Sequence, residues 1–339
     1  ARLRDYYRLG GRENVRAFMD AMATRPWVAE GEAAMLAALP EPVVMPAIAF
    51  YRPDWPTLAD SLAEVEERLA ASDAAGSPRV AISFTPSSLV ADDVGWLDAL
   101  IGALSRRGLA AYGFCGPRAD PELFTKGTCV VKDGRPAPLV DVIVNAALVF
   151  RAQQRRDELD RIGVPVIQSL PSLEMDAEEW AESQEWLPAA DVSYYFASSD
   201  LAGMVDALTI SARDDERLAL EPLPQQIEAL ADRALGYSRR RRTTAEEREL
   251  AVFVYNYPQG EANFGASHLN VPESLARLLR SLEAAGYGTT PLTADEITAG
   301  VQRNLRALYA PSLLADQYRR GEADLLPLAA YRAWFAALS

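Results

Sequence analysis

The sequence predicts an α/β protein: a doubly wound, mostly parallel sheet domain, preceded by N-terminal helices and followed by the start of a second α/β domain. Three observations carry that expectation. Near-continuous apolar runs such as RVAISF (79–84), VDVIVNAA (140–147) and VPVIQS (164–169) alternate with helical stretches, the pattern of parallel strands covered on both faces. The residues before 46 repeat at helical period instead. At 339 residues the chain is too long for one ordinary core, so two domains are expected.

Taken in order, RENVRAFMDAM (12–22) places Val15, Phe18, Met19 and Met22 on one helical stripe, after a Gly-Gly break. Pro40, Pro42 and Pro46 end this helical segment, assigned to residues 1–45. A Rossmann/flavodoxin-like domain follows over 46–245. Its strands are read at PAIAFY (46–51), RVAISF, LAAYGF (109–114), VDVIVNAA and VPVIQS. Helices are read at 58–72, at 92–108, where Trp96, Leu97, Leu100, Ile101 and Leu104 share a face, and at 151–161. Gly108 fits a helix C-cap. In such sheets ligands bind beyond the carboxyl ends of the strands, here TPSSL (85–89) and NAALVF (145–150). Residues 171–220 are irregular, with a short acidic helix or loop at 176–187 and a strand suggested by the aromatic run Tyr194–Phe196. A long helix from residue 222 ends in Arg239–Arg242, a charge run of the kind that complements a helix C-terminus. LAVFVYNY (250–257) reads as a buried strand opening the second α/β domain, assigned to 246–339.

Composition narrows the function. A net charge of −14 argues against a nucleic-acid-binding face, which needs concentrated basic surface. No apolar run reaches the length of a membrane span. Cys115 and Cys129, fourteen positions apart, make neither a disulfide framework nor a zinc site, which fits a reducing cytoplasm. The loop NYPQGEANFGAS (256–267) lacks G-x-x-x-x-G-K-[ST] and G-x-G-x-x-G, so nucleotide binding is not expected.

That loop is nevertheless the strongest candidate site. Asn256, Tyr257, Asn263 and Ser267 supply polar groups, and Gly260 and Gly265 allow a ligand close to the main chain. Asn270 can cap the next helix, with Pro272 in its first turn and Glu273 at capping-box spacing. Leu275, Leu278, Leu279 and Leu282 form the expected inner face, and Gly286 ends the helix. His268, the chain's sole histidine, has no Cys or His neighbour in sequence. A lone histidine of this kind is more often a packed or capping residue than a ligand.

YNYPQGEANFGASHLNVPESLARLLRSLEAAGY (255–287) resembles the motif of the tetrapyrrole chelatase large subunits, the family of cobaltochelatase CobN and the magnesium chelatase H subunit. GGRENVRAFM (10–19), residues 79–109 and LPLAAYRAWFAAL (326–338) are similar to other segments of that family. Gln259 stands where the family has a second proline, and His268 where it has an aromatic residue, so no family role carries over to His268. The resemblance implies an internal piece of a longer subunit that binds a tetrapyrrole and presents it for metal insertion. The metal is substrate: Co²⁺ for hydrogenobyrinic acid a,c-diamide, the favoured reading, or Mg²⁺ for protoporphyrin IX. ATP hydrolysis would belong to partner subunits of the AAA+ class. A non-catalytic tetrapyrrole- or partner-binding module is the competing reading, and the piece alone is expected to be inactive. Insertion expels two pyrrolic protons, so Glu261 and His268 are the candidate bases, with His268 also a candidate metal contact. Asn256, Tyr257, Gly260, Asn263, Gly265, Ser267 and Asn270 are the candidate substrate contacts.

Overall fold

The computed structural model describes residues 2–24, 39–184, 189–255, 260, 265, 268–323 and 325–338. The chain divides into two compact units, Ala1–Arg241 and Arg242–Ser339.

The first unit begins with α1 (Arg2–Leu9) and α2 (Arg12–Thr24) and continues into a seven-stranded sheet. Its strands are β1 (Ala49–Tyr51), β2 (Arg79–Ser83), β3 (Ala110–Cys115), β6 (Val142–Asn145), β7 (Val166–Ser172), β8 (Val205–Asp214) and β9 (Ala219–Pro222). A separate hairpin joins β4 (Cys129–Lys132) to β5 (Arg135–Pro138). The sheet order is β1-β3-β2-β6-β7-β8-β9. β3, β2, β6, β7 and β8 pair in parallel, whereas β1 and β9 lie antiparallel at the two edges. The chain leaves β2 first toward β3 and later returns to β6 on the other side of β2. The strand order therefore reverses beside β2, which opens a crevice at its carboxyl end.

Strand periodicity distributes the core. Val80 and Ile82 pack with Leu97, Leu100 and Leu104 of α5 (Gly95–Arg106), whereas Ala81 faces the opposite layer. That opposite layer is built from α3 (Leu62–Ala70), α6 (Leu123–Thr128) and α7 (Ala152–Ile162), through Leu69, Phe124 and Leu159. α4 (Pro86–Val90) precedes α5, and α8 (Ala177–Glu182) starts on a capping box between Asp176 and Glu179. α9 (Pro224–Arg242) packs Ile227, Leu230 and Ala234 beside α5. Each fully buried leucine in these layers contributes about 1.5–3 kcal/mol relative to exposure.

Four expectations need correction. Val15, Met19 and Met22 are exposed, because α2 docks instead through Asn14 and Ala21. Tyr194–Phe196 is no strand but part of a π-helical turn, Val192–Ala197. The inward positions through the turn and its helical flanks, Asp191, Tyr195 and Ser199, are four apart, a helical spacing. The irregular reading of 171–220 missed β8 and β9. Residues 250–255 form no strand, and Phe253 is 96% exposed. The described residues of the second unit hold helices and no strand, so an apolar run there has no ladder to join. These helices are α10 (Val271–Ala284), α11 (Ala294–Tyr309), α12 (Leu314–Arg319) and α13 (Leu328–Ala336).

Candidate functional site

Asn256, Tyr257, Glu261, Asn263 and Ser267 lie outside the described residues; Gly260, Gly265, His268 and Asn270 lie within them. The Gly260 N–H donates to the Tyr309 hydroxyl at 3.1 Å, and the Gly265 N–H to the Tyr255 carbonyl at 3.2 Å. Asn270 is the N-cap of α10: its Oδ1 accepts from the Glu273 N–H at 3.2 Å, and Pro272 occupies the first turn. Of the predicted inner face, Leu275, Leu279 and Leu282 are half-buried and Leu278 is exposed, while Val271 and Ala276 are buried. Gly286 follows the helix at a φ of 85°, a left-handed conformation that glycine adopts without strain. His268 is exposed. Among the described residues no group of three or more His, Cys, Asp or Glu side chains is placed to hold a metal ion.

The second candidate is the carboxyl edge of the sheet. Asn145, at the end of β6, is buried and donates through Nδ2 to the Ala147 carbonyl at 2.7 Å and to Gln168 Oε1 at 2.8 Å. Gln168 in turn donates to the Ser169 carbonyl at 2.9 Å. These amides shape the loop after β6 and spend their hydrogen bonds within the protein. On the other side of the crevice, Thr85 Oγ1 lies 2.8 Å from Ser87 Oγ.

A cleft of about 500 Å³ opens in the same unit, lined in part by Leu89, Asp92 and Val94, which follow β2. The Gly-Gly-x-Glu-Asn segment forms one wall. Asn14 donates to the carbonyls of Gly10 and Val43, both at 2.8 Å, and accepts from the Val43 N–H at 2.8 Å. The Gly11 N–H donates to the Val90 carbonyl at 2.9 Å. Gly10 has φ of 64°, and a Cβ there would lie 2.4 Å from Val90 Cγ1. Both glycines and the asparagine are thus explained by docking. At the rim Arg12 pairs with Asp92 at 3.2 Å. Tyr51 donates to Asp98 Oδ1 at 2.8 Å, and burial pushes both the phenol and the carboxyl above their ordinary values. Glu13, Asp60, Glu64 and Asp92 outnumber Arg12 and Arg52 along the lining, so the cleft disfavours an anionic ligand.

Cys115 and Cys129 are free and buried, and burial pushes the Cys115 thiol up to about 12. Neither is set up as a thiolate nucleophile. No helix among the described residues is long and apolar enough to cross a membrane.

Comparison with known proteins extends these observations. A family model described as CobN/Magnesium Chelatase matches residues 4–339. The aerobic cobaltochelatase subunit CobN of a Sinorhizobium species is 25% identical over 353 aligned residues, covering 99% of this chain and 26% of the relative. The chloroplastic magnesium-chelatase subunit ChlH of rice is 29% identical over 176 residues, covering 51% of this chain and 13% of that protein. Among solved structures, the catalytic subunit of cobaltochelatase from Mycobacterium tuberculosis superposes with a TM-score of 0.67 at 18% identity. It covers 91% of this chain and 25% of that one, which establishes likeness of fold. The chain thus spans about a quarter or less of the length of these relatives. With its mostly parallel α/β sheet and a family match running from residue 4 to its last residue, the chain belongs to the CobN/magnesium chelatase family.

Proposed function

We propose that this chain is part of the tetrapyrrole-binding large subunit of an ATP-dependent metal chelatase that inserts Co²⁺ into hydrogenobyrinic acid a,c-diamide. The observation that carries the reading is the family match over residues 4–339. The cobalt assignment is favoured by the CobN relative, which aligns over 99% of the chain. The magnesium alternative, with protoporphyrin IX as macrocycle, is favoured by the higher identity of the rice relative, 29% over 51% of the chain.

The chemistry asks three things of the protein. The macrocycle must be held by its peripheral carboxylates or amides, the work assigned to Asn256, Tyr257, Asn263 and Ser267, with Gly260 and Gly265 allowing close main-chain approach. Two pyrrolic protons must leave as the metal enters, and Glu261 and His268 are placed in sequence to accept them. The entering metal, a substrate here, must shed water without being trapped, which suits a single weak contact such as His268 better than a full ligand set. Asn270 holds the helix start on which the loop ends. ATP hydrolysis falls to AAA+ partner subunits, and the setting proposed for the assembly is cytoplasmic. The 339-residue chain alone binds but does not turn over in this account.

Equilibrium titration of the full-length subunit with hydrogenobyrinic acid a,c-diamide and with protoporphyrin IX tests the assignment. Tighter binding of the former is expected. A preference for the porphyrin would move the assignment to magnesium chelatase.

A further inference from the structure

Two arginines in the first unit stand against phenylalanine rings and differ in what else they touch. The Arg155 guanidinium lies 4.6 Å from the Phe124 ring centroid and pairs with Glu158, their side chains being 7% and 0% exposed. It also donates to the Asp120 carbonyl at 3.1 Å. Its charge is fully answered within the protein. The Arg118 guanidinium lies 5.7 Å from the Phe150 ring centroid and is half-buried. Among the described residues it forms no ion pair with a carboxylate. Burial pulls Arg118 below its ordinary value, and the group facing it electrostatically is the Tyr195 phenol.

The topology gives this contact its place. Arg118 sits on the loop leaving β3 and Phe150 on the loop leaving β6, and β2 lies between those strands. The pair therefore bridges loops on either side of the strand where the sheet order reverses, the position at which doubly wound sheets take ligands. Tyr195 belongs to the π-helical turn, a distortion frequent at functional sites. Beside Tyr195, Asp191 keeps a buried Oδ2 with no hydrogen-bond partner among the described residues, an acceptor that would take a donor of the ligand and not its carboxylate. Phe150 is 50% exposed, so aromatic surface is left for a ligand to cover. A half-desolvated guanidinium without a counter-ion is unfavourable until an anion arrives, and its planar fork suits a carboxylate lying beside an aromatic face.

We propose that Arg118, Phe150 and Tyr195 form a subsite that takes one peripheral carboxylate of a macrocyclic tetrapyrrole acid. Arg118 pairs with the carboxylate and the two rings cover the adjoining face of the macrocycle. The choice of macrocycle rests on the chelatase reading above; the need for a carboxylate rests on Arg118 itself.

Tryptophan-fluorescence titrations of the full-length subunit test it, using hydrogenobyrinic acid a,c-diamide, protoporphyrin IX and the dimethyl ester of protoporphyrin IX. Arg118→Gln is expected to weaken binding of the free acids by about tenfold or more. It should leave the affinity for the ester unchanged, and Arg118→Lys should recover part of the loss. Phe150→Ala should weaken acid and ester alike. If wild type and Arg118→Gln bind the free acids equally, the subsite is overturned and the chelatase reading stands. If the wild type binds none of the macrocycles, both readings fall together. Circular dichroism of each variant separates lost binding from lost folding, with Arg118→Lys carrying the test should Arg118→Gln fail to fold.

Discussion

Leu100 in α5 and Leu328 in α13 are both leucines of apolar helices, yet the first is 0% exposed and the second 61%. α5 lies on a sheet that presents Val80 and Ile82 to it. α13 has no buried residue in its own span, and Tyr331, Trp334 and Phe335 are exposed with it. The difference teaches that apolar periodicity states what a segment is able to bury. What it does bury depends on the elements around it, and the two units differ in those.

The largest difference is expected at the ion pairs of the two units. Glu158→Gln leaves the buried Arg155 without its counter-ion and should lower stability by about 3–5 kcal/mol in denaturant unfolding. The exposed pair of Arg319 and Asp316 in the second unit should be worth about 0.5 kcal/mol or less when Asp316 is replaced by Asn. Equal costs at the two pairs would contradict the contrast. Leu100→Ala comes next, expected to cost about 2–5 kcal/mol by transfer and cavity formation. Leu328→Ala should stay within about 0.5 kcal/mol of wild type, and a core-sized loss there would mean that α13 is covered.

Smaller effects sharpen the picture. Asn270→Ala removes the side-chain cap of α10 and should cost about 1 kcal/mol, seen as lower helicity or a lower unfolding midpoint of the second unit. Asp98 gives a test of sign. Burial raises its carboxyl above the ordinary value, against the opposing hydrogen bond from Tyr51, so the folded state favours the protonated form. The resulting stabilisation is present below the ordinary carboxylate range and is lost as pH rises through the raised value. Asp98→Asn should therefore flatten the fall of stability with pH in the window just above that range. An unchanged pH slope would count against Asp98 as the group responsible.

The sheet was readable where strands are buried on both sides. β2, β3, β6 and β7 carry unbroken apolar stretches, and their alternation with helices identified the fold class. β8 escaped because VDALTISARD mixes Asp206, Thr209, Ser211, Arg213 and Asp214 into a strand whose neighbour β9 is a short edge. The π-helical turn escaped because three successive aromatics resemble a strand, whereas their burial follows the spacing from Asp191 to Tyr195 to Ser199. The apolar stripe of α2 misled for a similar reason: polar contacts through Asn14 decide which face docks.

Sites were less readable than the sheet. The loop at 256–267 stood out through its resemblance to a family, and Asn270 as a cap through local chemistry. Its remaining polar candidates, Asn256, Tyr257, Glu261, Asn263 and Ser267, lie outside the described residues. Arg118 gave no signal at all, since an arginine in CGPRADPELF reads as a solvated loop residue. Its meaning comes from the pairing order that brings the loops after β3 and β6 to either side of β2.

The most direct test of the central claim is metal insertion by the full-length subunit supplied with the AAA+ subunits proposed as its partners, ATP and Co²⁺, followed by the absorbance of hydrogenobyrinic acid a,c-diamide. Turnover is expected, with Asn256→Ala and Asn263→Ala raising KM for the macrocycle. Tight binding of the macrocycle with no metal insertion under these conditions would contradict the account and leave a tetrapyrrole carrier in its place.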